Sequence, residues 1–266
     1  MSFIIVIPAR YASSRYPGKP LAELRGANGL SKSLIQRSWE AAKTVAGGPR
    51  VFVATDDERI RAHAEGFGAD VVMTSVDCKN GTERCAETHA ILNGSEDDII
   101  VNLQGDAPLT PHWFVEDLVS ALRDSSASMA TPVLRCDGRA LNGFLADRKS
   151  GRVGGTTAIF DHSGRALYFS KEVIPFTSQT YEDDAETPVF HHVGVYAYRG
   201  AALADYKSWP VGPLEDLEGL EQLRFLENAK AIQCVEVNAR GRQFWELNNP
   251  EDVPRIEAMM VEMGME

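Results

Sequence analysis

The sequence is poor in cysteine and has no long apolar run. Its four cysteines, Cys78, Cys85, Cys136 and Cys234, include no CxxC pair. Scattered thiols exclude a dense disulfide framework and favour a reducing compartment, so we expect a cytoplasmic protein. The start, MSFIIVIPAR, has five consecutive apolar residues and no basic residue before them. This pattern predicts neither a signal peptide nor a membrane span, and we expect no membrane partner.

Positive charge is also scarce. The 266 residues contain 27 Lys and Arg against 38 Asp and Glu, a formal net charge of −11. Because phosphate backbones are held by an excess of Lys and Arg, this balance argues against a nucleic-acid partner. It leaves open a small anionic ligand that is held by a few local cations.

Two familiar nucleotide fingerprints are missing. There is no GxxxxGK[ST] motif, and the short glycine pair Gly66 and Gly68 ends a predicted helix instead of opening one. Both P-loop kinases and dehydrogenases with a dinucleotide fingerprint are therefore disfavoured.

Strand-like and helix-like segments alternate through the first half of the chain. The strand-like runs are 3–7, 51–54, 70–73 and 98–103, and the helix-like runs are 33–46, 57–65, 82–92 and 110–122. This alternation predicts an α/β fold with a doubly wound, mainly parallel sheet.

The rhythm changes after residue 128. Strand-like runs at 129–134, 156–160, 167–169 and 193–198 follow one another, and a helix at 213–228, a strand at 232–237 and a helix at 250–263 complete the pattern. We expect a strand-rich insertion over residues 129–200. No linker divides the chain, so a single domain over residues 1–266 is predicted.

The loop after the first strand concentrates positive charge. The first 22 residues contain Arg10, Arg15 and Lys19 and no acid, and the small residues Ser13 and Gly18 lie among them. At the carboxyl end of a parallel strand, such a loop brings backbone N–H groups and cations to phosphate oxygens. A phosphate site is predicted; a solvated basic loop is the alternative.

Two further segments carry polar residues beside predicted elements. Asp106 ends a buried strand in the run Gln104-Gly105-Asp106, where it would hold Mg²⁺, although Gly-Asp is also a common turn. Thr82 is the predicted N-cap of a helix, and Arg84 in its first turn would address a nucleotide.

These segments occur in a known order. The motifs are PAR at 8, PGKP at 17, ATD at 54, the run from Ser75 to GTER at 81, QGD at 104, LYFS at 167, HVGVY at 192 and LEQLR at 220. Over nearly the whole chain the sequence resembles CMP-KDO synthetases, the 3-deoxy-manno-octulosonate cytidylyltransferases. The resemblance implies a nucleotide-diphospho-sugar transferase type of fold, CTP and a sugar acid as substrates, Mg²⁺ and a homodimer. It also implies that residues 129–200 bind substrate and form the dimer contact.

The resemblance assigns roles to residues that match the family motifs. The catalytic set is Arg10, Lys19 and Asp106, and the metal ligands are Asp106 and Asn248. The nucleotide set is Pro8, Ala9, Arg10, Ser13, Arg15, Lys19, Thr82, Arg84 and Gln104. The sugar set is Lys171, His192, Tyr196, Glu221 and Gln222.

Other interpretations exist for part of the sugar set. Tyr196 alternates with valines as a core aromatic residue does, and Glu221 would fit the solvent face of a helix. The pair His191-His192 would point to opposite faces of a strand, which disfavours a shared zinc ion.

Three positions depart from the family pattern. Thr157 stands where a lysine is expected, Lys171 where an arginine is expected, and Asn248 where the second metal-binding aspartate is expected. Glu246 would compensate for Asn248 only if its side chain faces the site. These departures leave two alternatives: transfer to a different acidic sugar, or a nucleotide-binding homologue with a regulatory role and weak turnover.

Overall fold

The architecture is described from a computed structural model for residues 3–13, 15–242 and 245–266. The strands are β1 (Phe3–Ala9), β2 (Glu23–Arg25), β3 (Ser31–Ser33), β4 (Arg50–Thr55), β5 (Asp70–Met73), β6 (Ile99–Leu103), β7 (Met129–Asp137), β8 (Thr156–Phe160), β9 (Ala166–Ser170), β10 (Glu186–His192), β11 (Val195–Arg199) and β12 (Ile232–Glu236). The helices are α1 (Leu34–Lys43), α2 (Glu58–Gly66), α3 (Gly81–Ile91), α4 (His112–Asp124), α5 (Gly138–Lys149), α6 (Gly200–Ser208), α7 (Pro213–Glu218), α8 (Leu223–Glu227) and α9 (Val253–Glu262).

One large sheet organises these elements in the order β5-β4-β1-β6-β11-β7-β10-β8-β9, with β12 paired to β7. The first four strands in this order are mutually parallel. Strand β11 is antiparallel to both β6 and β7, and the remaining lobe strands continue as antiparallel pairs apart from the parallel β7–β12 pair. The α/β fold and its strand-rich part are thus confirmed.

Helices cover both faces of the sheet, as the period of two in the strands requires. Ile5 packs in the cluster that holds Ile35 of α1 and Phe114 of α4. Its neighbour Val6 packs on the opposite face, in the cluster that holds Phe225 of α8. This is the doubly wound arrangement expected from the alternation. Within the described residues, no helix is long and apolar enough to cross a membrane.

The helix predicted over 213–228 is two helices. Gly219 adopts the left-handed conformation with φ 61° and ends α7, and α8 begins only at Leu223. A left-handed glycine is a common helix stop, which the continuous amphipathic pattern concealed. Glu221 and Gln222 therefore lie in the turn between two helices and not in the second half of a long one.

The lobe also contains elements that the pattern did not predict. Helix α5 begins after Asp137, whose side chain accepts a hydrogen bond from the Ala140 N–H at 2.7 Å. Strand β10 pairs with both β7 and β8. The insertion is strand-rich, with one helix packed against it.

Candidate active site

Three chain segments meet at one edge of the sheet. Strands β1 and β6 are adjacent and parallel, so the residues that follow Ala9 and Leu103 emerge side by side, and α3 begins beside them. They enclose a cavity of about 300 Å³. Of the predicted nucleotide and metal residues, Pro8, Ala9, Arg10, Ser13, Arg15, Lys19, Arg84, Gln104 and Asp106 line it. The cavity lies where doubly wound sheets bind ligands.

Gly105 allows the two loops to touch. A Cβ atom at this position would lie 2.7 Å from the carbonyl oxygen of Pro8, closer than real Cβ atoms approach other atoms. The Gly105 carbonyl accepts a hydrogen bond from Ser38 Oγ at 3.0 Å, which anchors the turn to α1. Only glycine fits here without moving Asp106 away from the basic loop.

The three cations of the basic loop have different partners. Lys19 Nζ lies 2.6 Å from Asp106 Oδ2, and the Arg15 guanidinium donates to Asn248 Oδ1 at 2.8 Å. Arg10 is exposed, and no carboxylate of the described residues lies within 4 Å of it. Together they place three positive charges around one cavity, which suits a polyphosphate.

Helix α3 begins one residue earlier than predicted, and its cap is different. Asn80 is the N-cap, because its Oδ1 accepts from the Glu83 N–H at 2.8 Å. The Thr82 hydroxyl instead lies 2.7 Å from the Tyr198 hydroxyl, and the Thr82 N–H donates to Glu221 Oε2 at 2.8 Å. Thr82 is completely buried, so the prediction that its side chain caps the helix is wrong, and its polar groups already have partners within the protein.

Arg84, in the first turn of α3, also lines the cavity. Its guanidinium is buried, hydrogen-bonds Thr74 Oγ1 and lies 3.6 Å from Asp56 Oδ2. Asp56 is the last residue of the ATD motif and directly follows β4. Because its guanidinium is buried and already paired, Arg84 contributes positive charge to the wall of the cavity and is less suited to direct contact with a ligand.

Lys79 and Cys78 are among the cavity residues that the sequence did not predict. Lys79 is exposed and Cys78 buried, and both line the cavity just before α3. A lysine immediately before a predicted helix start beside a phosphate loop was the available signal. Burial and the Glu87 carboxylate raise the pKa of the Cys78 thiol to about 11, so it stays protonated at neutral pH.

Three residues of the sugar set form a buried layer next to the cavity and do not line it. Tyr196 donates from its hydroxyl to Gln222 Oε1 at 3.3 Å, and the His192 ring contacts the Tyr196 ring. His192 Nε2 lies 3.0 Å from Thr131 Oγ1, and burial lowers the pKa of His192 to about 3. The imidazole is therefore neutral. Gln222 Nε2 is buried without a hydrogen-bond partner among the described residues.

The two neighbouring histidines do not share a site. His191 contacts the ring of Phe144, whereas His192 contacts Phe169 on the other face of β10. The opposite orientation that argued against a zinc ion is thus found. The described residues contain no group of three or more His, Cys, Asp or Glu side chains arranged to hold a metal.

Glu221 connects the sugar set to the nucleotide side. Besides accepting from Thr82, its carboxylate accepts from Gln104 Nε2 at 3.4 Å. Burial raises the pKa of Glu221. The alternative of a solvent-facing acid is excluded, because the carboxylate accepts from Thr82 and Gln104 in the turn between α7 and α8.

Lys171 and Thr157 lie at the far edge of the sheet, away from the cavity. Thr157 pairs in the β8–β9 ladder with Ser170, the residue before Lys171. The Lys171 N–H donates to Glu218 Oε2 at 2.9 Å, and the Thr157 hydroxyl donates to the Glu172 carbonyl at 2.6 Å. Thr157 and Lys171, the two departures from the family pattern in the predicted sugar region, are therefore neighbours in the structure.

The segment around Asn248 runs beside Asp106. The Leu247 N–H donates to the Asp106 carbonyl at 2.9 Å, which brings both predicted metal ligands to the same place. The Glu246 carboxylate shares a hydrogen bond with the Asn248 side chain, so it lies at the same place, and burial and the charge of Asp106 raise the pKa of Glu246 to about 7. Carboxylate and amide oxygens form the hard donor set that Mg²⁺ prefers, so these residues fit the metal.

The comparisons agree with this geometry. A model described as cytidylyltransferase matches residues 4–232. The 3-deoxy-manno-octulosonate cytidylyltransferase of Maricaulis maris is 42% identical over 99% of each chain. The 8-amino-3,8-dideoxy-manno-octulosonate cytidylyltransferase of Shewanella amazonensis is 40% identical over 97% of this chain and 98% of its own.

A solved structure is similar over the same extent. CMP:2-keto-3-deoxy-manno-octonic acid synthetase in complex with CTP matches with a TM-score of 0.83 and 32% identity, covering 99% of this chain and 100% of that one. The basic loop, the Asp106 turn and the buried layer of His192, Tyr196 and Gln222 thus occur in a fold shared with a CTP-bound enzyme. The chain belongs to the cytidylyltransferase family and is a nucleotidyltransferase.

Proposed function

We propose that the protein transfers CMP from CTP to the anomeric hydroxyl of a 3-deoxy-2-ulosonic acid, KDO or a close analogue, with release of pyrophosphate. The observation that carries the proposal is the cavity at the carboxyl edge of the parallel strands, which Arg10, Arg15, Lys19 and Asp106 line together. The relatives named for this activity match nearly the whole chain.

The reaction breaks the bond between the α- and β-phosphates of CTP as the sugar hydroxyl attacks the α-phosphorus. It asks the protein for alignment and charge compensation more than for covalent chemistry. Arg10, Arg15 and Lys19 hold and neutralise the triphosphate. The loop from Pro8 to Ser13 supplies backbone contacts, and Gln104 stands between the nucleotide cavity and Glu221.

Asp106 and the segment that contains Asn248 would hold Mg²⁺, which supplies positive charge at the triphosphate and makes a nearby hydroxyl easier to deprotonate. Asp106 and Lys19 lie next to each other, so the carboxylate also sets where the ammonium group meets the phosphates. The neutral His192 is buried in the sugar layer, where its role is to position Tyr196 and the substrate.

The direct test measures pyrophosphate release with each of four nucleoside triphosphates against KDO and its 8-amino analogue. We expect release only with CTP, Mg²⁺ and a sugar acid together. No release with any ulosonate would overturn the proposal. Calorimetry with CTP in the same preparation then identifies the regulatory alternative, which requires binding without turnover.

We also propose a cytoplasmic homodimer that forms through the lobe at residues 129–200 and the adjoining α7. The support is exposed apolar area near edge strand β9: Leu167 is 59% exposed, Phe176 90% and Leu217 82%. Exposed apolar residues concentrated in one region are typical of protein contacts. Sedimentation velocity of wild type and Phe176→Ser tests this: a monomeric wild type would contradict it.

A further inference from the structure

We propose that Glu246 supplies the second carboxylate of the metal site, in place of the aspartate that the resemblance predicts at position 248. The inference rests on the proposed function, because the metal belongs to that reaction. It assigns a binding role to a residue that the family motif does not include.

The backbone places Glu246 on the cavity side. The hydrogen bond from the Leu247 N–H to the Asp106 carbonyl, at 2.9 Å, holds the segment along the turn that follows β6. The Leu247 side chain is fully buried in the cluster that contains Leu24 and Met260. Glu246 and Asn248 lie on the other side of the segment from this cluster, where their side chains hydrogen-bond each other.

The surroundings leave space for the Glu246 carboxylate. Gly194 has no side chain, and Glu246 Oε1 lies 3.5 Å from the point where a Cβ of residue 194 would be. Gln104 Cγ lies 4.0 Å from the same point. The carboxylate therefore lies near Gly194 and Gln104. It is close enough to Asp106, Lys19 and Arg15 to interact with their charges.

The charge distribution favours Glu246 over Asn248 as the stronger ligand. Asn248 is neutral, and its Oδ1 already accepts from Arg15 at 2.8 Å. Lys19 similarly neutralises Asp106. A triphosphate competes for both cations, which leaves Asp106 and Glu246 facing each other with uncompensated negative charge. A divalent cation that binds both carboxylates removes their mutual repulsion.

The experiment titrates Mn²⁺ as the probe and follows free Mn²⁺ by electron paramagnetic resonance. The full-length protein is first saturated with a CTP analogue that has a methylene group between the α- and β-phosphorus atoms. Four proteins are compared: wild type, Glu246→Gln, Glu246→Gln combined with Asn248→Asp, and Glu251→Gln. Glu251 is an exposed acid on the same segment and serves as the matched control.

We expect Glu246→Gln to weaken Mn²⁺ binding about tenfold or more. Asn248→Asp in the same chain restores binding, and Glu251→Gln leaves it unchanged. Near-ultraviolet circular dichroism checks that each variant is folded. Glutamine has the same shape as glutamate, so the substitution removes the charge without changing the packing.

Mn²⁺ affinity that is unchanged in Glu246→Gln overturns the inference, as does a double variant without recovery. Either result leaves the proposed function intact if the wild type releases pyrophosphate. A wild type that binds the analogue and Mn²⁺ but never releases pyrophosphate overturns the proposed function instead. The two failures are therefore distinguishable.

Discussion

Lys19 and Asp106 neutralise each other at the cavity, with 2.6 Å between Nζ and Oδ2. One residue follows β1 and the other follows β6, so the ion pair joins the two loops that form the cavity. The pair is partly buried, which makes it stronger than a typical surface pair. Binding of a triphosphate and a cation would exchange these partners instead of creating two new charges in the site.

Removing either charge should inactivate the protein. We expect Lys19→Met and Asp106→Asn each to lower kcat/KM for CTP by about 100-fold or more, because preorganised charge at the phosphates is lost. The measurement is pyrophosphate release at saturating sugar. Lys149→Met, which removes an exposed lysine of α5, is the matched control and should change kcat/KM less than twofold. A similarly small effect of Lys19→Met would contradict the assignment.

Gly105→Ala should damage both activity and stability. The new Cβ would lie 2.7 Å from the Pro8 carbonyl oxygen, so the two loops must separate. We expect unfolding to become easier by about 1–3 kcal/mol in urea titrations, with a larger relative loss of kcat/KM. Gly143→Ala is the control: it lies in α5 with nothing within 4 Å of its new Cβ, and should stabilise by roughly 0.5–1 kcal/mol. Equal stabilities would show that the loops adapt.

Arg224 should be among the most sensitive positions for stability. Its guanidinium makes two hydrogen bonds of 2.6 Å to Glu215 and one of 3.1 Å to Glu83, and it is 2% exposed. Arg224→Met would leave buried Glu215 unpaired, at a cost of about 3–5 kcal/mol in urea unfolding.

The control for Arg224 is an ion pair in water. Arg139 lies 3.5 Å from Asp183 with both side chains mostly exposed, so Arg139→Ala should cost less than about 1 kcal/mol. If Arg224→Met also costs less than about 1 kcal/mol, the ion pair with Glu215 does not hold α7 and α8 together.

The parts of the fold predicted from sequence are those in which one signal dominates. Strand β5 is found at the predicted residues, 70–73, and β1 extends the predicted run by two residues. The signal for β1 is its continuous apolar run, which marks a buried parallel strand. The single glycine that divides α7 from α8 was outweighed by the amphipathic pattern around it. Strand β10 was missed because its sequence, ETPVFHH, contains a proline and no continuous apolar run.

The cavity was predictable because its residues lie in short contiguous segments. Arg10, Arg15 and Lys19 share one loop, and Asp106 follows one strand. Glu246 could not be placed from sequence, since its orientation depends on the tertiary hydrogen bond between Leu247 and Asp106. The partners of Thr82 were likewise hidden, because Tyr198 and Glu221 reach it from distant elements.

Acid should destabilise the protein through its buried histidines. Burial holds the pKa of His192 at about 3 and that of His191 at about 4, against about 6.5 in an unfolded chain. Below that value the unfolded chain binds protons that the folded one does not. Stability from these groups is therefore complete above pH 6.5 and is lost as pH falls toward 3–4, by about 2 kcal/mol for His192 at pH 5.

The test compares urea unfolding at pH 7 and pH 5 for wild type and His192→Gln. The loss of stability between the two pH values should be about 2 kcal/mol smaller in the variant. Glu221 and Glu246, whose pKa values are raised, act in the opposite direction, but they are present in both proteins and cancel in the comparison. An identical loss in both proteins would show that His192 titrates normally.

Glu221 should affect CTP binding even without sugar. Its carboxylate accepts from the Thr82 N–H at 2.8 Å and from Gln104 Nε2 at 3.4 Å, so it fixes the start of α3 and a cavity side chain together. Glu221→Ala removes the acceptor from a buried N–H and should weaken CTP binding several-fold in calorimetry. Glu221→Gln keeps an acceptor and should retain CTP affinity within about twofold, and Glu262→Ala, at an exposed position of α9, is the control. Wild-type CTP affinity in Glu221→Ala, with only the sugar KM raised, would instead assign Glu221 to the sugar alone.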